Sequence, residues 1–317
     1  MDRIPVVIDC DPGVDDSYAI AMANSYPGFD IKALTPVEGN VVADITRKNA
    51  LCLREMLGID CRVAFGAEKP LVRAYNRQAE GTHGVSGVGT VKFPEPKLGP
   101  DPEPAWDVIY EEAVKAKGKL VLFAVGPLTN IAITLRKHPD LPGLIDKFVI
   151  MGGGLKGNIA ETNYTAEFNI WIDPTAAKEV FEKMHVYMVG NDACWKAALE
   201  GKDFDEMISL CGDGDKAYLV RELSKFSKKN SMENGHDNNV IYDALTVASV
   251  INPDLIKFED HYTYVVDDDK AVNIGQTVVD TTDSSGKPKN CSVAMEVDKA
   301  GFVKMLKDMC SYYGSMK

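Results

Sequence analysis

The chain has 317 residues, a net charge of −12 at pH 7 and 45% apolar residues. This length suits one large α/β domain or two small ones, with enough apolar side chains to fill a sizeable core. The negative charge argues against a nucleic-acid or anionic-membrane partner. Seven cysteines without pairing motifs favour reduced thiols in a cytoplasmic protein. We expect neither a signal peptide nor a membrane span, because the first strand begins at once and no apolar run reaches about 20 residues.

Residues 6–16 place four carboxylates where a strand meets a helix. Val6 to Cys10 is typical of a buried strand, Pro12-Gly13 predicts a turn, and a helix is predicted to follow. Asp9 and Asp11 should leave the strand on the same face, because side chains alternate along it. Asp15 and Asp16 fall in the first helical turn, where the helix dipole favours negative charge.

Such a cluster of acids favours a bound cation. Two carboxylates about 4 Å apart repel by roughly 4 kcal/mol at an effective dielectric constant of about 20. Because the candidate ligands are oxygens, calcium or magnesium fits better than zinc, and calcium tolerates irregular coordination best. The simpler alternative is that the acids cap the helix and line a solvated strand end.

The run Asp9-Cys10-Asp11-Pro12-Gly13-Val14-Asp15-Asp16 resembles the signature of the calcium-dependent nucleoside hydrolases, the inosine–uridine-preferring group and its relatives. Further matches follow along nearly the whole chain. The resemblance implies a Rossmann-related α/β fold and a calcium ion held by Asp11, Asp15, Asp16 and two later residues. It also implies hydrolysis of ribonucleosides.

The segments after the acidic run predict alternating strands and helices. Strands are predicted at Ile31 to Val37 and Cys61 to Phe65, and a helix from Ala43 to Leu57 should end at Gly58. This alternation predicts an α/β fold, an open and mostly parallel central sheet flanked by helices. We expect one domain over residues 1–317. Ligands of such sheets bind beyond the carboxyl ends of the strands, where Asp11 and Asn40 would lie.

Four candidate residues of the middle of the chain depend on the resemblance. It implies that Asn40 contacts the metal-held water or the substrate, and that His83, in a glycine-rich loop over residues 80–89, lies near the leaving base. It also implies that the Thr129 carbonyl is a calcium ligand and that Met151 lines the pocket. The alternatives are a turn for Asn40, an exposed loop side chain for His83 and an early helical position for Thr129.

Ala166-Glu167-Phe168-Asn169-Ile170 is the second strongest match. Glu167 and Asn169 are two apart in a segment predicted to be extended, so both could face one ligand. A carboxylate with an amide suits a sugar, since each hydroxyl both donates and accepts. The resemblance implies that they bind ribose together with an upstream asparagine, for which Asn158 is favoured over Asn163. Loop solvation is the alternative for both asparagines.

The C-terminal third supplies the last candidates. Helices are predicted at 203–211 and 215–229, and the resemblance places Phe226 at the flank of the pocket. Asp243 begins a predicted helix, and the resemblance makes it the last calcium ligand rather than only a cap. Tyr242 stands where many pyrimidine-accepting members have a histidine that protonates the leaving base. A tyrosine with an unperturbed pKa near 10 is a poor acid at neutral pH. Strands at 275–280 and 291–297 and a helix over 298–312 complete the prediction.

The resemblance therefore implies cleavage of the N-glycosidic bond of a ribonucleoside to ribose and free base. Calcium would bind the ribose hydroxyls and one water, and Asp11 would be the general base. Asp15 would also contact the substrate, Tyr242 would face the base, and Asp9 would support the ligands. A homo-oligomer, a dimer or tetramer, is also implied.

Two alternatives remain open at this point. A phosphatase of the haloacid dehalogenase type would use Asp9 as a nucleophile with magnesium, although Pro12-Gly13 departs from its motif and no later lysine and acidic pair completes it. A non-enzymatic, calcium-dependent nucleoside- or sugar-binding protein would use Glu167 and Asn169 for binding alone.

Overall fold

The computed structural model describes residues 3–74, 79–155, 162–233, 235 and 237–316. The strands are β1 (Ile4–Cys10), β2 (Phe29–Pro36), β3 (Arg62–Val63), β4 (Leu120–Ala124), β5 (Ile145–Met151), β6 (Val186–Val189), β7 (Leu199–Glu200), β8 (Asn238–Asn239), β9 (Ile256–Val265), β10 (Thr277–Asp280) and β11 (Cys291–Val297). The helices are α1 (Val14–Ser25), α2 (Ala43–Leu57), α3 (Glu80–His83), α4 (Ala105–Ala116), α5 (Thr129–Lys137), α6 (Phe168–Ile172), α7 (Pro174–Lys183), α8 (Asn191–Lys196), α9 (Gly201–Cys211), α10 (Tyr218–Glu233), α11 (Tyr242–Ile251) and α12 (Lys299–Ser315).

Nine of these strands form one sheet in the order β10-β9-β11-β6-β5-β4-β1-β2-β3, and β7 pairs with β8 separately. The neighbouring pairs in the stretch β11-β6-β5-β4-β1-β2-β3 are all parallel. At the other end of the sheet, β9 is antiparallel to β11, and β10 is antiparallel to β9. The predicted open, mostly parallel sheet is confirmed. β1 pairs with β2 on one side and β4 on the other, so the strand order reverses there. Such a switch point opens a crevice at the carboxyl ends of the strands.

Two apolar cores cover the two faces of the sheet. One contains side chains of α1, α9, α10, α11 and α12, and the other contains side chains of α4, α5 and α7. β1 is fully buried from Val6 onward because it lies between both layers, which explains its nearly continuous apolar run. Among the described residues, no helix combines the length and apolar character that crossing a bilayer requires.

Local signals predicted several boundaries correctly. α2 ends at Leu57 because Gly58 adopts a left-handed conformation with φ of 66°. Other predictions were wrong. β3 is only two residues long, the segment predicted to start a helix at 215 begins with a short 3-10 turn, and the strands β6 and β9 were not predicted. β9 was missed because its residues 257–262 are mostly polar or charged, although the strand pairs with β11 over residues 256–261 and with β10 over residues 262–265.

Candidate active site

Asp16 stabilises the turn that joins β1 to α1. Its Oδ1 accepts the backbone N–H of Asp11 at 2.9 Å, and its Oδ2 accepts that of Gly13 at 2.8 Å. This is the carboxylate half of a capping box at the start of α1. Asp11 and Asp16 are both fully buried, so the local helix signal has placed two carboxyl groups beneath the carboxyl end of the sheet.

Asn40 links the two aspartates. Its backbone N–H donates to Oδ2 of Asp11 at 2.7 Å, and its Nδ2 donates to Oδ2 of Asp16 at 3.2 Å. Within the described part of the chain, Oδ1 of Asp11 is buried and has no hydrogen-bond partner. A buried carboxylate oxygen without a partner is costly, so this atom is suited to a ligand.

Asp243 adds a buried carboxyl group from the second residue of α11. Burial raises its pKa well above the usual value, and the charges of Asp16, Asp15 and Asp11 raise it further. The pKa of Asp11 is likewise raised well above its usual value by burial and then by the charge of Asp16. The pKa of Asp16 is raised by burial. These acids therefore lie close together in a buried region, where ionising all of them at once costs free energy.

The buried cluster of Asp11, Asp16 and Asp243, which we call the acidic corner, has donor chemistry that fits a hard divalent cation. Carboxylate oxygens are the ligands that calcium and magnesium prefer, and Oδ1 of Asp11 lacks a protein partner within the described ranges. Among those residues, no three His, Cys, Asp or Glu side chains are already arranged around one metal position. The fit therefore depends on the unpartnered oxygen and on the mutual repulsion of the acids.

Asp9 lies in a different environment, although it is only two residues from Asp11. Its Oδ1 accepts from Thr35 Oγ1 at 2.6 Å and from Asn130 Nδ2 at 2.8 Å. Burial raises the pKa of Asp9 to about 7 despite these two donors. Asp9 is as fully buried as Asp11, and its Oδ2, like Oδ1 of Asp11, has no hydrogen-bond partner among the described residues. Thr35 and Asn130 were not identified as site residues from sequence, because their link to Asp9 is made only by folding.

The segment after β4 passes close to Asp11 at Gly126. A Cβ built on Gly126 would lie 2.7 Å from Oδ1 of Asp11, so only glycine allows this close approach. Thr129 begins α5 three residues later, and its Oγ1 donates to Oδ2 of Asp173 at 2.8 Å. Gly126 therefore lies against the acidic corner, whereas the Thr129 side chain contacts Asp173, the N-cap of α7.

Glu167 and Asn169 were predicted to lie in an extended segment, and this prediction was wrong. Glu167 is the N-cap of α6, and its carboxylate accepts the backbone N–H groups of Asn169 and Ile170. Asn169 lies in that helix, and its Nδ2 donates to the carbonyls of Val125 at 2.9 Å and Met151 at 3.1 Å. Both side chains are still buried together because the capped turn brings them to the ends of β4 and β5. Burial raises the pKa of Glu167 to about 7.

The two candidate asparagines of the preceding loop differ. Asn158 lies outside the described residues. Asn163 donates from Nδ2 to the carbonyls of Val272 and Ile274 and accepts from Thr165 Oγ1 at Oδ1. Asn163 therefore has a structural role that accounts for its side chain.

His83 is buried rather than exposed. The backbone N–H of Val14 donates to its Nδ1 at 3.1 Å, and a Cβ built on Gly13 would lie 2.7 Å from that nitrogen. Burial lowers the pKa of His83 to about 4. The ring therefore packs in its neutral form against the N-terminus of α1, at the edge of the acidic corner.

A cavity of about 500 Å³ opens beside Asp15 and Tyr242. Its size is in the range of small-molecule sites. We refer to it as the α10 cavity, and it is lined by Val14, Asp15, Gly81, Thr82, Trp195, Phe226, Ser227, Asn230, Ser231, Asn238, Asn239, Val240 and Tyr242. Phe226 agrees with the predicted flank. Trp195, Asn230 and Asn239 were not predicted, because they come from three separate segments without a shared motif.

A mostly parallel sheet with buried carboxylates beside a cavity at its carboxyl edge is the arrangement of an α/β enzyme. The model of the inosine-uridine preferring nucleoside hydrolase family matches residues 6–304. The chain belongs to that family. Like its relatives it is a nucleoside N-ribohydrolase, which hydrolyses ribonucleosides to ribose and free base. This assignment replaces the phosphatase and the non-enzymatic alternatives.

Related proteins match over nearly their full length. The pyrimidine-specific ribonucleoside hydrolase RihA of Escherichia coli (strain SMS-3-5 / SECEC) is 33% identical over 313 residues, which cover 98% of this chain and 99% of that protein. The corresponding Citrobacter koseri protein is 34% identical over 315 residues, with the same coverage. The structure of a purine-preferring ribonucleoside hydrolase from Gardnerella vaginalis aligns with a TM-score of 0.88 at 28% identity. The alignment covers 99% of this chain and 100% of that protein.

Proposed function

We propose that Asp11 is the general base of ribonucleoside hydrolysis and that Asp11, Asp16 and Asp243 hold a calcium ion. The observation that carries this proposal is the buried Oδ1 of Asp11, which has no hydrogen-bond partner among the described residues. When bound, calcium would fix the ribose hydroxyls and lower the pKa of a water. Asn40 would hold Asp11 Oδ2, so that the other carboxylate oxygen accepts the proton.

We assign the backbone carbonyl ligand to Val125 in place of Thr129. The chain passes Asp11 at Gly126, directly after Val125, and a carbonyl oxygen has a second lone pair beyond the one that Asn169 uses. Asp15 is half-buried at the wall of the α10 cavity, which supports a role toward the substrate in addition to the cation.

Glu167 and Asn169 are proposed to bind the ribose hydroxyls. Their positions are fixed by backbone groups of α6, β4 and β5, so little side-chain freedom would be lost on binding. Met151 supports this arrangement through its carbonyl, which accepts from Asn169. The assignment of Asn158 stays a prediction.

The α10 cavity is proposed to receive the nucleobase. Phe226 and Trp195 offer aromatic surface at a wall that also contains Tyr242. Relatives carry names that specify either pyrimidine or purine nucleosides. Among the described residues that line this wall, Asp15 is the only charged one, so nothing there selects one base class, and we propose that both classes are accepted.

A substrate panel tests the proposal directly. Ribose release from inosine, uridine, cytidine, adenosine and guanosine would be measured with calcium, with magnesium and after chelation. We expect turnover of at least one purine and one pyrimidine nucleoside, lost on chelation and restored by calcium. Full activity after exhaustive chelation would refute the cation assignment, and turnover of one base class alone would refute the base assignment.

We also propose that the protein resides in a reducing compartment. All seven cysteines are free thiols, which supports a reducing compartment such as the cytoplasm. A homo-oligomer remains a prediction from family membership. Light scattering coupled to size-exclusion chromatography measures it, and a monomeric mass would contradict it.

A further inference from the structure

The glycine run after β5 is held at successive residues by side chains from three separate elements. The backbone N–H of Gly153 donates to Oε2 of Glu167 at 3.0 Å, and that of Gly154 donates to Oγ1 of Thr277 at 3.0 Å. The N–H of Leu155 donates to Oδ2 of Asp192 on α8. The backbone conformation next to Glu167 is therefore set by distant parts of the chain.

Thr277 makes the most complete of these contacts. It begins β10, the edge strand of the sheet, and is 4% exposed. Its Oγ1 accepts from the Gly154 N–H and also donates to the Gly154 carbonyl at 2.8 Å. A hydroxyl has one proton and two lone pairs, so one side chain satisfies both backbone groups of Gly154.

Gly153 packs directly against the same threonine. It has φ of +71°, a left-handed conformation that glycine adopts without strain. A Cβ built there would lie 2.7 Å from Cγ2 of Thr277 and 2.8 Å from Sδ of Met188. Thr277 therefore fixes Gly154 through hydrogen bonds and limits the position of Gly153 through packing.

Gly153 in turn orients the carboxylate of Glu167. Oε1 of Glu167 accepts from the Asn169 N–H at 2.9 Å, and Oε2 accepts from the Ile170 N–H at 3.1 Å and the Gly153 N–H at 3.0 Å. Two of these three donors belong to α6 itself. The bond from Gly153 connects the carboxylate to the end of β5.

We propose that Thr277 is a positioning residue for ribose binding. Its hydroxyl fixes Gly154, Gly154 holds the N–H of Gly153 in place, and that N–H aims Glu167. This inference rests on the proposed contact of Glu167 with ribose. It assigns a role in substrate binding to an edge-strand threonine that lies outside the acidic corner and the α10 cavity.

The test compares steady-state kinetics of Thr277→Val, Thr277→Ser and the unaltered protein with inosine and uridine. Valine keeps the shape but removes both hydrogen bonds, so we expect KM to rise by about tenfold. We expect kcat to stay within about threefold, because an interaction made equally in the ground and transition states affects KM alone. Serine keeps the hydroxyl and should restore KM.

A matched control is Thr263→Val on β9. Thr263 is fully buried, and its Oγ1 has no hydrogen-bond partner in the described part of the chain. We expect this variant to keep the original KM. If Thr277→Val does not fold, as judged by circular dichroism, Thr277→Ala replaces it. An unchanged KM in the folded variant, or an equal rise in Thr263→Val, would overturn the proposal.

Glu167→Gln and the double variant Glu167→Gln/Thr277→Val separate this inference from the function on which it depends. If Thr277 acts through Glu167, the second substitution adds little to the effect of the first, so the two are non-additive. Fully additive effects on KM would assign Thr277 a general structural role and overturn the inference alone. An unchanged KM in Glu167→Gln would overturn the ribose contact itself.

Discussion

The backbone N–H of Val14 donates to Nδ1 of His83, so the histidine accepts a hydrogen bond at the first residue of α1. A nitrogen that accepts carries no proton, and the neutral ring then has its proton on Nε2. This tautomer leaves one hydrogen-bond donor on the ring, at Nε2. It does not supply a positively charged acid near neutral pH.

His83 should therefore titrate far below the ordinary range. Burial lowers its pKa to about 4 in the folded protein, against an ordinary value of 6.5. We expect NMR of the imidazole carbons to show no titration of His83 between pH 6 and 8. Because the unfolded chain binds this proton more readily than the folded protein, His83 lowers the free energy of unfolding as pH falls below about 6.5. A midpoint near 6.5 in the folded protein would contradict the buried, accepting ring.

Asp11 and Asp9 form a matched pair of carboxylates. Asp11→Asn should lower kcat by about 10²- to 10⁴-fold, because it removes the proposed base while keeping the side-chain shape. Asp9→Asn keeps an oxygen that can accept from Thr35 and Asn130, so kcat should stay within about tenfold. Ribose release by both folded variants gives the comparison. Equal losses in the two variants would argue against separate roles.

The buried carboxyl groups of the site should make the calcium-free protein less stable as pH rises. Burial raises the folded-state pKa of Asp9 and Glu167 to about 7, and those of Asp11, Asp16 and Asp243 are also raised. The folded state then binds more protons than the unfolded state between about pH 4 and 7, and the free energy of unfolding falls across this range. The rise in the pKa of Glu167 from 4.5 to about 7 alone lowers the free energy of unfolding by roughly 3 kcal/mol at most over this range.

Urea unfolding at pH 5, 6, 7 and 8, with chelator and with calcium, measures this effect. Calcium should restore stability most at the higher pH values, where the carboxylates are ionised. Magnesium at the same concentration serves as the control for ionic strength and charge. A free energy of unfolding that rises between pH 5 and 7 in chelator would contradict the expected proton balance.

Substitution of Tyr242 tests whether its hydroxyl protonates the leaving base. It is the first residue of α11, and it lines the α10 cavity. With an ordinary pKa near 10, a tyrosine donates a proton poorly at neutral pH, so we expect Tyr242→Phe to lower kcat by less than about tenfold. Tyr242→Ala should raise KM, because it removes aromatic surface from the cavity wall. A loss of about 10²-fold or more in Tyr242→Phe would instead identify the hydroxyl as the acid.

Local sequence patterns predicted the elements that depend on neighbours in the chain. The apolar run before Asp9 specifies a buried strand, the acids after Gly13 favour a helix start, and Gly58 ends α2. The acidic run and the Glu167 segment also carried the resemblance to the family. These signals act over a few residues, through backbone conformation and the period of side-chain burial.

The tertiary structure alone decided what the individual side chains do. Asp9 and Asp11 are two residues apart, yet Asp9 bonds to Asn130, 121 residues away, whereas Asp11 bonds to Asn40. Each of the two keeps one carboxylate oxygen without a partner among the described residues. Glu167 was expected in an extended segment but caps a helix, because Gly153 and α6 supply its donors. Hydrogen-bond partners from distant strands and the desolvation of buried groups depend on packing, and no local pattern encodes them.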